Sequence, residues 1–228
     1  MLHRKSQPDL IPAMFLSTAI AMIFTQLAGY GAVLIDGIIT SRVLGSQAYS
    51  GVSLLGPFNG IVLLFSGAVS VSAQVVSSQA IGRGDRDTAN SAFTVALIID
   101  ALFALVLVML CILWPDGLLN ICGVSQASHP SIYPHMLGYL RGYMPGIPFI
   151  MLIQVIGPII VMDSGKALFT SSAFVLFVGD IAGDLLNAFV FHGGTFGMGI
   201  ATSAAYLLQA LVLLPHFLRK NSYFRTSL

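Results

Sequence analysis

Two aspartates four residues apart, Asp180 and Asp184, stand inside the apolar run VLFVGDIAGDLLNAFVF (175–191). On a helix both carboxylates project from one face, with Asn187 a further turn along it. A carboxylate at membrane depth is costly, so such groups face a bundle interior or a watery cavity and mark an ion or substrate path. Carboxylate and hydroxyl oxygens can ligate Na⁺ without help from water. A buried carboxylate beside like charges can instead take up a proton near neutral pH. Two further acids sit in apolar surroundings, Asp36 in GAVLIDGII and Asp100 in ALIIDALF. Asp36 precedes Gly37, a pair that can simply end a helix at the membrane interface. Asp100 either joins the same network or hydrogen-bonds a neighbouring helix, and the second reading is preferred. Arg141 is the available counter-ion for one of these acids, unless it snorkels outward.

The elements that must position these groups follow from composition. Of 228 residues, 56% are hydrophobic and only 8% charged, against roughly 25% charged in an ordinary soluble domain. Mean hydropathy is +0.89. Such a surface cannot stay wet, so the solvent must largely be the lipid bilayer. The net charge of +1 argues against nucleic acid as a partner. All nine acids are aspartate. Cys111 and Cys122 fit no metal spacing and no disulfide framework, and no cofactor is implied.

Six stretches reach the length of about 20 residues that a spanning helix needs. They are approximately 10–39, 51–80, 88–113, 133–161, 168–191 and 197–217, within one unit of residues 1–228. Continuous apolar runs without alternation favour helices over a barrel. The expected fold is an all-α membrane protein, a six-transmembrane-helix bundle with short connections except at 114–130. The run after Arg4 and Lys5 is longer than a signal-peptide core of about 7–15 residues, so it reads as a retained first span.

A cytoplasmic N-terminus places Arg4, Lys5, Arg83, Arg86, Lys166, Arg219, Lys220 and Arg225 inside, with Arg42 and Arg141 outside or toward that side. This bias implies that both termini are cytoplasmic. Counting about 1.5 Å per residue then puts Asp36, Asp180, Asp184 and Thr202 at similar depth, in the middle or outer half of the bilayer. Gly67, Gly179, Gly183, Gly197 and Gly199 are expected at close helix contacts. Gly56–Pro57, Pro145, Pro148 and Gly157–Pro158 are expected to bend the second and fourth spans or free their carbonyls.

Three segments carry a family resemblance. IDGIITSRVLGSQAYSGVSLLGPF (35–58), IGRGDRDTANSAF (81–93) and GDIAGDLLNAFVFHGGTFGMGIATS (179–203) resemble, in order and spacing, the N-terminal half of the multidrug and toxic compound extrusion (MATE) family. The resemblance implies one six-helix lobe of a two-lobe antiporter of the plasma membrane. Such an antiporter exports drug-like organic compounds against inward Na⁺ or H⁺. It also implies a cation site at Asp36, Asp180, Asp184 and Thr202, with Asp180 standing where the family more often has Asn. Asn187, Arg141 and Asp100 are auxiliary candidates. Because the family has a second lobe, transport is expected to need a homodimer or a separate C-terminal lobe.

Two other readings stand beside it. One is a truncated, non-transporting membrane protein or regulatory half-lobe. The other is an intramembrane serine protease, for which Ser66 and His192 are the candidates, although no GxSG-type elbow surrounds Ser66.

Overall fold

The computed structural model describes residues 7–218 and Phe224, and among them there is no strand. Helix α1 runs Gln7–Ile39 and passes into a π-helical turn, Thr40–Leu44. Asp36–Gly37 therefore does not end the helix. Gly45, at φ 93°, makes the turn into α2, Ser46–Ser53, a backbone region that only glycine enters freely. Helix α3, Gly56–Gly82, starts with Pro57 in its first turn, where the missing N–H has no intrahelical partner to lose. The others are α4 Arg86–Leu113, α5 Pro115–Ile121, α6 Tyr133–Tyr143, α7 Ile147–Met162, α8 Lys166–Leu186 and α9 Gly194–Leu213.

Among the described residues, five continuous stretches are long and apolar enough to cross a membrane: Ser46–Gly82, Arg86–Leu113, Tyr133–Met162, Lys166–Phe191 and Gly194–Phe217. Helix α1, 33 residues long, covers the first predicted span. The predicted 114–130 loop is partly helical, because α5 fills its first half. Leu119 and Val124 from this segment are buried with Phe58, Leu107 and Met136, which ties the segment to the bundle.

Helices α1 and α8 run parallel. Lys166 Nζ donates to Ser17 Oγ at 2.9 Å near their starts, and Asp36 meets Asp184 near their ends. This register puts Lys166 at the end of the bundle opposite Arg42, which follows Asp36 by six residues. Arg4, Lys5, Arg219, Lys220 and Arg225, on which much of the charge bias rests, lie outside the described residues.

The prolines act as anticipated, with one distinction. The span 133–162 breaks into a 3₁₀ turn at Met144–Gly146, around Pro145. Ser203 Oγ lies 2.8 Å from the Gly142 carbonyl oxygen and 3.1 Å from that of Tyr143, so its hydroxyl can donate to one or the other beside the break. Pro158 instead stays inside α7. It takes away the N–H that would bond Gln154, and Ser70 Oγ on α3 donates to that carbonyl at 2.7 Å.

Close approach is concentrated between α6 and α9. A Cβ at Gly142 would lie 2.2 Å from the Phe196 carbonyl oxygen, and one at Gly199 would lie 2.5 Å from that of Tyr139. Gly138 and Gly146 meet Thr195 and Ser203 in the same row, a four-residue repeat of small positions that lets two backbones touch. Gly183 presses on Ala201 as anticipated. Gly67 does not fit the expectation: nothing lies within 4 Å of where its Cβ would be, so it makes no close helix contact.

Candidate functional site

The site is assembled by α1, α6, α8 and α9. Helix α8 packs between α1 and α9, and α6 lies along α9. Each of the two acid-bearing helices loosens one turn beyond its acid, into the π-turns Thr40–Leu44 and Asn187–Phe191. Single π-turns inside helices recur at functional sites because they re-aim side chains and free carbonyls.

Asp36, Asp180, Asp184 and Thr202 come together. The Asp36 and Asp184 carboxyls are direct neighbours, and Asp180 lies within electrostatic reach of Asp36. The Thr202 hydroxyl sits close to both Asp180 and Tyr139, at bonding geometry with neither. Asp184 is fully buried and neither of its oxygens has a hydrogen-bond partner; one Asp180 oxygen is likewise buried and unpartnered. Only Asp36 among the three acids has a described side-chain donor, Thr40 Oγ1 at 3.1 Å. Buried carboxyl oxygens left unpaired are costly. Among the described residues, however, no three His, Cys, Asp or Glu side chains converge closely enough to hold a metal ion between them.

Asp36 also faces outward. With Tyr139, Tyr143, Asn59, Tyr49 and Arg42 it lines a cavity of about 720 Å³, within the ordinary range for a small-molecule site of about 300–1,000 Å³. Asp180, Asp184 and Thr202 are not among its lining residues, so Asp36 is the contact between the cavity and the carboxylates behind it.

The auxiliary candidates separate. The Asn187 amide is committed to the turn into α9: Nδ2 donates to the Gly194 carbonyl at 2.9 Å and Oδ1 accepts from Gly193 N–H at 3.0 Å. Arg141 is exposed and ion-pairs with none of the described acids. Asp100 lies outside the cluster, with its Oδ2 3.0 Å from Ser66 Oγ on α3. Ser66 and His192 engage different partners, the latter placing Nδ1 3.1 Å from the Ala188 carbonyl oxygen. Two residues escaped the sequence reading, Tyr139 and Thr40. Thr40 follows Asp36 by one turn and was legible by spacing. Tyr139 was legible only as one of two tyrosines four apart on one face, a pattern that equally suits a packed core.

The MatE family model matches residues 21–179. That is more than half of the chain. The chain belongs to the MatE family.

A comparison with curated proteins found no match. Solved structures share the fold. The Vibrio cholerae MATE transporter VcmN in its bent form superposes with a TM-score of 0.82 at 16% identity, covering 93% of this chain and 47% of that one. A multidrug resistance MATE family transporter of the MOP superfamily matches in its outward-facing conformation with TM-score 0.80 at 16% identity, covering 93% of this chain and 46% of that one. The inward-facing conformation matches with TM-score 0.77 at 16% identity, covering 92% and 48%. This MatE chain thus spans about half the length of the solved structures it matches.

Proposed function

We propose that this chain is a six-span lobe, with both termini cytoplasmic, of a cation-coupled antiporter that exports drug-like organic compounds across the plasma membrane. One observation carries the reading: Asp36 stands between a ligand-sized cavity and two buried carboxylates, Asp184 with neither oxygen partnered and Asp180 with one oxygen unpartnered. A substrate in the cavity and a proton or Na⁺ in the cluster would then compete through Asp36. Neutralising the cluster also removes repulsion between α1 and α8, so cation occupancy would bias helix packing and shift the inward–outward population. The likeness of the lobe to both outward- and inward-facing relatives supports motion of the lobe as a body.

As a co-substrate, H⁺ would be shared by Asp36 and Asp184, whereas Na⁺ would need Asp180 and the Thr202 hydroxyl to close in. Dye efflux from vesicles driven by a pH gradient or by a Na⁺ gradient tells them apart. Asp36→Asn and Asp184→Asn are each expected to abolish coupled efflux while membrane insertion is unchanged. Wild-type efflux in both variants would sink the site assignment.

Transport needs a second lobe, and another copy of this six-span lobe is one that could supply it. Two six-span copies insert with the same orientation, so they can pair about an axis along the membrane normal, as parallel repeats do. A dimer-sized species in mild detergent is expected. The rival reading is a non-transporting regulatory half, and a strictly monomeric protein that moves no dye would establish it instead.

A further inference from the structure

Away from the Asp36 cluster, the middle of α4 carries a second buried acid whose surroundings do not suit a charge. Asp100 is 2% exposed. Its Oδ2 lies 3.0 Å from Ser66 Oγ, and its Oδ1 is buried with no partner. The same Ser66 hydroxyl lies 3.1 Å from the Met151 carbonyl oxygen on α7. A hydroxyl has one proton to donate and two lone pairs with which to accept, so Ser66 cannot donate to Asp100 and to Met151 at once. If Asp100 is ionised, either the carboxylate or the Met151 carbonyl goes without the Ser66 donor. If Asp100 carries a proton, both contacts are satisfied in one chain: Asp100 O–H donates to Ser66 Oγ, and Ser66 O–H donates to the Met151 carbonyl.

The neighbouring elements offer the charged form nothing. Helices α3 and α7 contain no titratable side chain, and on α4 the nearest in sequence is Cys111, three turns on. The titratable groups of α5 and α6, which also touch α4, are Asp116, Tyr133, His135, Tyr139, Arg141 and Tyr143. Asp116 accepts from Tyr133, Tyr143 donates to Asn59, and Tyr139 belongs to the Asp36 cluster. Asp100 also lines a lateral cavity of about 510 Å³ between α4 and α7, whose other walls are apolar and include Leu97, Leu105, Phe149 and Leu152. An ionised carboxylate with one bare oxygen against such a wall carries a large desolvation penalty.

We propose that Asp100 is a second proton-binding site of this lobe, separate from the Asp36 cluster. Its proton closes a hydrogen-bond chain from α4 through Ser66 on α3 to the Met151 carbonyl on α7. Loss of that proton turns the Ser66 donor toward Asp100 and releases the carbonyl, so the packing of α3 on α7 depends on it. The site does not rest on the transport reading.

Infrared spectroscopy of the whole chain in membranes tests this with Asp36→Asn, Asp180→Asn and Asp184→Asn combined, which leaves Asp100 as the remaining acid of the bundle interior. A protonated-carboxyl C=O band is expected at neutral pH. It should vanish when Asp100→Asn is added, and shift to higher frequency with Ser66→Ala as the acid loses its acceptor. A carboxylate band assigned to Asp100 at neutral pH would overturn the proposal. Should the triple variant not fold, the wild-type minus Asp100→Asn difference spectrum poses the same choice between a C=O band and a carboxylate band. As a second readout, Asp100→Asn, a neutral isostere, should keep the wild-type melting temperature at neutral pH; a fall of several degrees on that substitution would count against a neutral acid.

Discussion

Ser70 donates its hydroxyl to the Gln154 carbonyl at 2.7 Å, the carbonyl that Pro158 deprives of its helical donor. A sequence-distant serine on α3 thus completes the hydrogen bonding of α7, and Gln74 Nε2 in turn donates to Ser70 Oγ at 3.3 Å. Ser70→Ala is expected to lower stability by about 1 kcal/mol, between the modest values found for interhelical bonds in membranes and the penalty of a buried bare carbonyl. In a Pro158→Ala background, where the helix recovers its own N–H, the same substitution should matter less than half as much. A double-mutant cycle on thermal unfolding in detergent measures this; additive effects would contradict the pairing.

Gly142 and Gly67 should respond oppositely to alanine. At Gly142 a Cβ would lie 2.2 Å from a backbone carbonyl oxygen that cannot rotate away. Forced overpacking of this kind costs about 1–3 kcal/mol or pushes α6 from α9. At Gly67 the new methyl meets nothing, and leaving glycine inside a helix should stabilise by about 0.5–1 kcal/mol. Melting temperatures of the two variants give the comparison directly.

Asn187→Ala removes both bonds that hold the Gly193–Gly194 turn and is expected to lower stability by about 1–3 kcal/mol. It should leave the cation dependence of efflux unchanged, because the amide faces the turn rather than the carboxylates. A changed cation dependence with unaltered stability would return Asn187 to the site.

Asp85 caps α4 outside the membrane-spanning stretches. Its Oδ1 accepts from Thr88 N–H at 3.0 Å and its Oδ2 from Thr88 Oγ1 at 2.6 Å. These bonds, those of the Thr88 side chain first, hold its carboxyl below the usual carboxylate range. A lowered folded value means that the cap is fully effective above the ordinary value of about 3.9 and is lost as pH falls through the lower, folded one. Hydrogen exchange in the first turn of α4, corrected for its intrinsic pH dependence, should show protection declining only in that acid window. In Asp85→Ala the protection should be low and independent of pH.

Much of the helical layout was readable because lipid imposes one strong rule. Apolar runs of spanning length must satisfy their backbone internally, so the stretches around Asp100, Pro158 and Asp184 declared themselves as helices. The resemblance of 35–58 and 179–203 named a family that the match over 21–179 then established. Other features were hidden for physical reasons. Gly67 looks like Gly183 in a string of letters, yet one faces open space and the other Ala201. The helix in the 114–130 loop begins at a proline, a residue that marks a turn as readily as a first helical position.

By itself the sequence determined which residues could bear charge in the apolar interior, that Asp180 and Asp184 share a helical face, and that Asp36 and Thr202 lie at comparable depth. Spacing along a helix and the thickness of a bilayer are enough for that. Only the tertiary structure decided which of them meet. The parallel register of α1 and α8 sets Asp36 beside Asp184, the Gly142–Gly199 contact draws Tyr139 on α6 toward Thr202 on α9, and the packing of α3 on α4 leaves Asp100 with Ser66 instead. Facing is a property of the rotation of one helix against another. Those rotations are set by close contacts between residues far apart in the chain, which no local pattern records.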